Sequence, residues 1–77
     1  MPTLHGVRPD AAVRALERLG FSRVRQRGSH LVMQKVTTAG TYTCPVPMHN
    51  RVVPVGTLKS IIKLAHVSVD EFLAALH

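Results

Sequence analysis

The sequence predicts a two-layer α+β domain in which helices cover one face of a three-stranded antiparallel sheet. Apolar residues recur at helical spacing near residues 9–19, 55–65 and 69–76. Three short strand-like segments lie between the first two of these, separated by turn signals around Gly28 and Gly40. The predicted order of elements is therefore α-β-β-β-α plus a short C-terminal helix.

The first helix is predicted from about Pro9 to Leu19. Proline suits a first helical position, because its missing N–H would be unpaired there anyway. Asp10 lies where the helix dipole favours a negative charge. Gly20 is expected to cap the C-terminal end, with Phe21 folding back as its hydrophobic contact.

The segment "FSRVRQRGSHLVMQKV" predicts two strands with a turn at Arg27-Gly28-Ser29. Alternate side chains share a face of a strand, so the arginines at 23, 25 and 27 are expected to project together, away from Val24. A third strand follows in "TYTCPV". Pro45 and Pro47 either end that strand or place it at an edge of the sheet.

The second helix is predicted to begin between Val55 and Thr57 and to end near Ala65. A loop, "PMHNRVVP", precedes it. Ser68 and Glu71 have the spacing of a capping box, S-x-x-E, which predicts the start of the last helix.

Composition predicts one domain over residues 1–77 with a small aliphatic core, since 45% of residues are hydrophobic and only 4% aromatic. The net charge of +6 favours a polyanionic partner, nucleic acid above all. An acidic protein, an anionic membrane or a basic surface without a specific ligand remain alternatives at this point.

A single cysteine, Cys44, excludes an intrachain disulfide and agrees with a reducing cytoplasm. The segment "MPTLHGVRPD" lacks the apolar core of a signal peptide, and no run reaches transmembrane length. We therefore expect a cytoplasmic protein with no membrane association.

Several chemistries are excluded by the ionisable residues. The carboxylates fall on predicted helix surfaces or caps, no phosphate loop or dinucleotide turn is present, and Ser29 lacks a nucleophile elbow. A metal site of His30, His49 and Cys44 matches no standard zinc spacing. No metal and no cofactor are expected.

His30 and His49 each lie within a few residues of arginine. An imidazole can move a proton near neutral pH, and guanidinium groups can bind phosphate and stabilise charge on it. RNA supplies its own nucleophile, the 2′-hydroxyl. These residues supply the chemical groups that RNA cleavage needs. Residue chemistry alone does not distinguish a catalytic His30 from a surface histidine near a turn.

Four motifs in order resemble the HicA family of toxin mRNA interferases. They are L-x-x-x-G-F at 16–21, R-x-x-G-S-H at 25–30, P-x-H at 47–49 and G-T-L-x-x-I at 56–61. The motifs occur in order with family-like spacing, and the resemblance extends from about residue 10 to 73, which is nearly the whole chain.

The resemblance implies a double-stranded-RNA-binding-like fold and a toxin that cleaves mRNA without a metal and arrests translation and growth. It implies that His30 is the catalytic residue. It also implies a HicB-type antitoxin that masks the site, with the toxin monomeric alone and hetero-oligomeric with the antitoxin.

Together with the residue chemistry, the resemblance implies a role for each site residue. His30 would be general acid or base in attack of the 2′-hydroxyl on the neighbouring phosphate. Gly28 would allow close approach of the backbone to RNA. Ser29 either orients His30 or caps the turn, and His49 is either a second proton carrier or a structural residue of its loop. The expected phosphate-binding residues are Arg23, Arg25, Arg27, Lys35, Arg51 and Lys59.

Two functions without catalysis compete with this hypothesis. One is an RNA-binding module of the same fold, since double-stranded RNA is recognised through phosphate and 2′-hydroxyl contacts. The other is a domain whose basic face binds only an acidic protein. Both predict that replacing His30 with alanine leaves function intact.

Overall fold

The structure, a computed structural model, describes residues 3–77. Its three strands form one antiparallel sheet in the order β1-β2-β3. The predicted order of elements and the predicted α+β class are confirmed. The elements are α1 Pro9–Arg18, β1 Ser22–Arg27, β2 His30–Thr37, β3 Gly40–Pro47, α2 Val55–Ala65 and α3 Val69–Ala75.

The end of α1 is capped as the sequence predicts. Gly20 has φ 99°, and its N–H donates to the Glu17 carbonyl at 3.0 Å. The Phe21 N–H donates to the Leu16 carbonyl at 2.9 Å, which completes a Schellman motif. The Phe21 side chain is buried, so the cap also joins the helix to the core.

A two-residue turn, Gly28-Ser29, joins β1 to β2. Arg27 pairs directly with His30 across this turn. Gly28 has φ 58°, a left-handed conformation that glycine adopts at no steric cost and that the first position of a type II′ turn requires. The tight turn makes His30 the first residue of β2.

A bulge in β1 changes which arginines share a face. Arg23 pairs with Met33, but Arg25 pairs with Val32, so Val24 is an extra residue in the strand. Because paired residues share a face and Met33 is fully buried under the helices, Arg23 lies on the helix side. The prediction that all three arginines project together is therefore wrong for Arg23.

The hydrophobic core lies between the sheet and the helices. Residues that alternate along β2 and β3 supply the sheet side of this core, and the opposite face of the sheet carries His30. The edge strand β3 ends at Pro47, which confirms both effects predicted for its prolines. The largest fully buried core side chains are Phe72, Leu16, Met33, Leu58, Ile61, Val13, Val46, Val53 and Cys44.

The last helix begins with the predicted capping box. The Glu71 N–H donates to Ser68 Oγ at 3.0 Å, and the Ser68 N–H donates to Glu71 Oε1 at 2.8 Å. The hydrogen bond from the Ser68 backbone lowers the pKa of the Glu71 carboxyl. At the other end of α3, Arg18 Nη1 donates to the Ala75 carbonyl at 2.6 Å and so ties α3 to α1.

Within residues 3–77, no helix has the length and apolar character needed to cross a membrane.

Candidate functional site

Two exposed histidines lie side by side at one end of the sheet. His30 begins β2 and pairs with Pro47 on β3, while His49 lies two residues beyond the end of β3. Their ring centroids are 6.2 Å apart, with the ring planes at 59°. The structure therefore brings the histidines of the G-S-H and P-x-H motifs together.

A backbone hydrogen bond holds these two motifs against each other. The Met48 N–H donates to the Ser29 carbonyl at 2.7 Å, directly beside both histidines. Gln26 Nε2 donates to the Gly28 carbonyl at 3.1 Å and braces the same turn. Sequence reasoning missed both contacts, because the first depends on the β2–β3 register and the second on the conformation of the turn.

Positive charge lies beside the histidines on the open face of the sheet. Arg27 is the cross-strand partner of His30, and Arg25 lies two residues along the same strand, opposite Val32. Arg51 follows His49 in the loop. All three side chains are exposed, and none forms an ion pair with another residue in the range 3–77. These guanidinium groups are free to bind an anion.

Two of the expected phosphate-binding residues are engaged elsewhere. Arg23 Nε lies 3.4 Å from Glu17 Oε2, on the helix side. Lys35 Nζ donates to the Leu19 carbonyl at 2.9 Å, beyond the last turn of α1. Lys35 is five positions along β2 from His30, which separates them by roughly 16 Å. The structure does not bring Arg23 and Lys35 to the histidine pair.

The remaining expected residues contribute in different ways. Lys59 is exposed on α2 and makes no ion pair with the residues that the structure describes. Gly28 supplies the turn conformation, and Ser29 contributes its carbonyl to the Met48 hydrogen bond. The Ser29 hydroxyl makes no hydrogen bond within the described part of the chain.

The candidate metal ligands do not assemble. Cys44 is fully buried on the helix side, with its Sγ 3.7 Å from the Ile61 carbonyl, whereas His30 lies on the opposite face. Burial raises the pKa of the Cys44 thiol to about 11. Across residues 3–77, no group of three or more His, Cys, Asp or Glu side chains is placed to hold a metal ion.

The other histidines lie in different surroundings. The His66 ring stacks on Tyr42 with centroids 4.0 Å apart, just after α2. His5 and His77 line a cavity of about 370 Å³ together with Arg8, and no expected site residue lines it. The pair formed by His30 and His49 instead lies on an open surface, which suits an extended polymer better than an enclosed small molecule.

A small basic α+β domain with two histidines among unpaired arginines has the features of a protein that acts on a polyanion. A family model described as the HicA toxin of bacterial toxin-antitoxin systems matches residues 10–67. This range contains α1 except for Pro9, the whole sheet and α2, and it includes every expected site residue. The chain belongs to the HicA toxin family, and it is therefore the toxin of a toxin–antitoxin system, with an antitoxin as its partner. A search of curated proteins found no match.

Proposed function

We propose that this toxin is a metal-independent endoribonuclease that cleaves mRNA in the cytoplasm with His30 as its catalytic residue. Cleavage would arrest translation and growth, and a HicB-type antitoxin would neutralise the toxin by covering the site. The observation that carries the proposal is the exposed His30 imidazole. His30 pairs with Arg27 at a tight turn, and its ring centroid lies 6.2 Å from that of His49.

The chemistry needs only groups that the chain and the RNA possess. His30 transfers a proton during attack of the 2′-hydroxyl on the adjacent phosphorus. Arg25 and Arg27, on the same face of the sheet, stabilise the negative charge that develops on the phosphoryl oxygens. The reaction leaves a cyclic phosphate on one fragment and a 5′-hydroxyl on the other.

RNA binding is supported by the cations that have no acidic partner among the described residues. Arg25, Arg27, Arg51 and Lys59 are exposed, and Gly28 adds no side chain between the turn and a ligand. The element order α-β-β-β-α agrees with the double-stranded-RNA-binding-like fold that the family resemblance implies. Arg23 and Lys35 contribute through net charge and not through contact.

The test compares the native chain with His30→Ala after induction in a bacterial host. Loss of a general acid or base lowers the rate by about 10²–10⁴-fold, so we expect the variant to allow growth and to leave mRNA intact. His5→Ala is a matched control, since His5 is also exposed and lines a cavity that does not include His30 or His49. Growth arrest and mRNA degradation by His30→Ala at the native rate would contradict the catalytic role of His30. Growth arrest by both chains with the mRNA intact would favour the non-catalytic RNA-binding module instead.

Two further measurements test the rest of the proposal. Purified toxin should cleave RNA equally well with and without EDTA, and strong inhibition would contradict a metal-independent reaction. Co-expression of the HicB-type protein should restore growth in cells that produce the native toxin.

A further inference from the structure

We infer that His49 is a second catalytic residue and that His30 and His49 act as a general acid–base pair on one RNA phosphodiester. The inference rests on the proposed RNA cleavage and goes beyond it by assigning both proton transfers. It is drawn from the geometry of the two rings. It also rests on the His49 side chain, which makes no hydrogen bond or ion pair with the described residues.

The separation of the rings suits a shared substrate group. At 6.2 Å between centroids, the two rings are close enough to contact the same substrate group. Catalytic proton transfer needs hydrogen-bond contact, about 2.6–3.2 Å between heavy atoms, from each group to its own oxygen. Two imidazoles at this separation can each reach one oxygen of a phosphodiester that lies against both rings.

The position of His49 does not depend on its own side chain. Pairing of His30 with Pro47 and the Met48–Ser29 hydrogen bond hold the loop next to the turn. The His49 ring is exposed, and it makes no hydrogen bond or ion pair with any residue from 3 to 77. A structural residue of the loop would be expected to contact the loop that it stabilises.

The two proton transfers balance without another reactant. One imidazole, neutral at the start, takes the proton of the 2′-hydroxyl while a bond forms between the 2′-oxygen and phosphorus. The other, protonated at the start, gives its proton to the 5′-oxygen as the bond from phosphorus to that oxygen breaks. The products are a 2′,3′-cyclic phosphate and a 5′-hydroxyl, and exchange with water restores both imidazoles.

Charged groups around the pair are cationic. His49 faces His30 on β2, Arg27 is paired with His30 from β1, and Arg51 lies in the same loop as His49. The described carboxylates form ion pairs only with Arg8, Arg14 and Arg23, so none is paired with either histidine.

The first experiment measures the pH dependence of RNA cleavage by the native toxin, His49→Gln and the control His5→Gln. A pair with opposite protonation states gives the native toxin a bell-shaped profile. We expect His49→Gln to lose one limb of the bell and about 10²–10⁴-fold in rate, with little change in KM. His5→Gln should keep the native profile.

The second experiment uses an RNA in which sulfur replaces the 5′-bridging oxygen at the cleaved bond. A thiolate leaves without protonation, so this substrate should restore the rate of the variant that lacks the general acid and not that of the variant that lacks the base. We expect restoration in only one of His30→Ala and His49→Gln, and that result also assigns the two roles.

The possible failures are distinguishable. A native toxin that leaves RNA intact overturns the proposed function itself. A native toxin that cleaves RNA, together with His49→Gln that keeps both limbs and the native rate, overturns only the role of His49. Restoration of both variants, or of neither, by the sulfur-containing RNA also overturns the acid–base pair.

Discussion

At the residue scale, two arginines separated by a single residue have different surroundings. Arg23 lies on the helix side and pairs with Glu17, whereas Arg25 lies on the open face and has no acidic partner among residues 3–77. Each of the two arginines contributes one positive charge to the net charge. Only the second is placed beside the histidine pair, so only the second should make a close phosphate contact.

The pair of variants Arg25→Gln and Arg23→Gln tests this difference, because both remove one positive charge. The affinity for a 2′-O-methyl RNA, which lacks the free nucleophile, is measured over a series of salt concentrations. Losing one phosphate contact should lower the slope of log K against log salt by about 0.7 for a single strand. We expect that change for Arg25→Gln and much less for Arg23→Gln. Equal losses would contradict the assignment of faces by the bulge.

At the element scale, the β1–β2 hairpin positions His30 through its backbone. Its two-residue turn pairs Arg27 with His30, and the Gly28 φ of 58° makes that turn compatible with the twist of the strands. Ser29 then offers its carbonyl to the Met48 N–H. The G-S-H motif therefore consists of a turn residue, a backbone acceptor and an exposed imidazole in succession.

Gly28→Ala should destabilise the fold, since a left-handed conformation costs an L-residue roughly 1–2 kcal/mol. Gly56→Ala is the matched control, because a Cβ meets nothing within 4 Å at either position and Gly56 lies in α2 with no positive φ. The control should gain stability, by less than the roughly 0.5–1 kcal/mol that alanine gains over glycine in the middle of a helix, because Gly56 lies in the first turn of α2. Urea denaturation in the His30→Ala background measures both free energies of unfolding. Two changes of the same sign would contradict the turn conformation.

At the scale of the whole molecule, the sheet separates the core from the candidate site. Helices cover one face, where Met33, Cys44 and Phe72 are fully buried, and the histidines lie at one end of the other face. The candidate site therefore lies on the face of the sheet that does not contribute to the core. The buried thiol of Cys44 reports on the core alone, because it lies on the opposite side of the sheet from His30.

Modification of Cys44 should require unfolding. The thiolate is the reactive form, and burial both raises the pKa of this thiol to about 11 and blocks access to it. A disulfide reagent at pH 8 should react slowly with the native chain, and its rate should rise only across the urea unfolding transition. Rapid reaction of the folded chain would show that this face of the sheet is not covered.

The raised pKa of the Cys44 thiol also predicts how the free energy of unfolding changes at alkaline pH. Its pKa is about 11 in the folded chain and 9.0 as the ordinary value, so the unfolded chain loses the proton first. This contribution to stability is complete below pH 9.0 and decreases as the pH rises toward about 11. The contribution of the thiol is isolated by comparing the free energies of unfolding of Cys44→Ala and the native chain, measured in urea at several pH values.

The elements could be predicted from the sequence because their signals are local. Pro9 and Gly20 mark the two ends of α1, and Ser68 with Glu71 marks the start of α3. The bulge at Val24 could not be predicted, since it depends on how β1 pairs with β2. The contact of Lys35 with the Leu19 carbonyl likewise depends on where α1 ends against the sheet.

The sequence alone determined the order of elements, the presence of a single cysteine, the positive charge and the motifs that indicate the family. Only the tertiary structure decided which of these residues meet. His30 and His49 are 19 positions apart, and the β2–β3 register brings their ring centroids to 6.2 Å, while the bulge assigns Arg23 and Arg25 to different faces. Local patterns encode helices, strands and turns, but pairing between strands is a long-range property, and the candidate site is formed by that pairing.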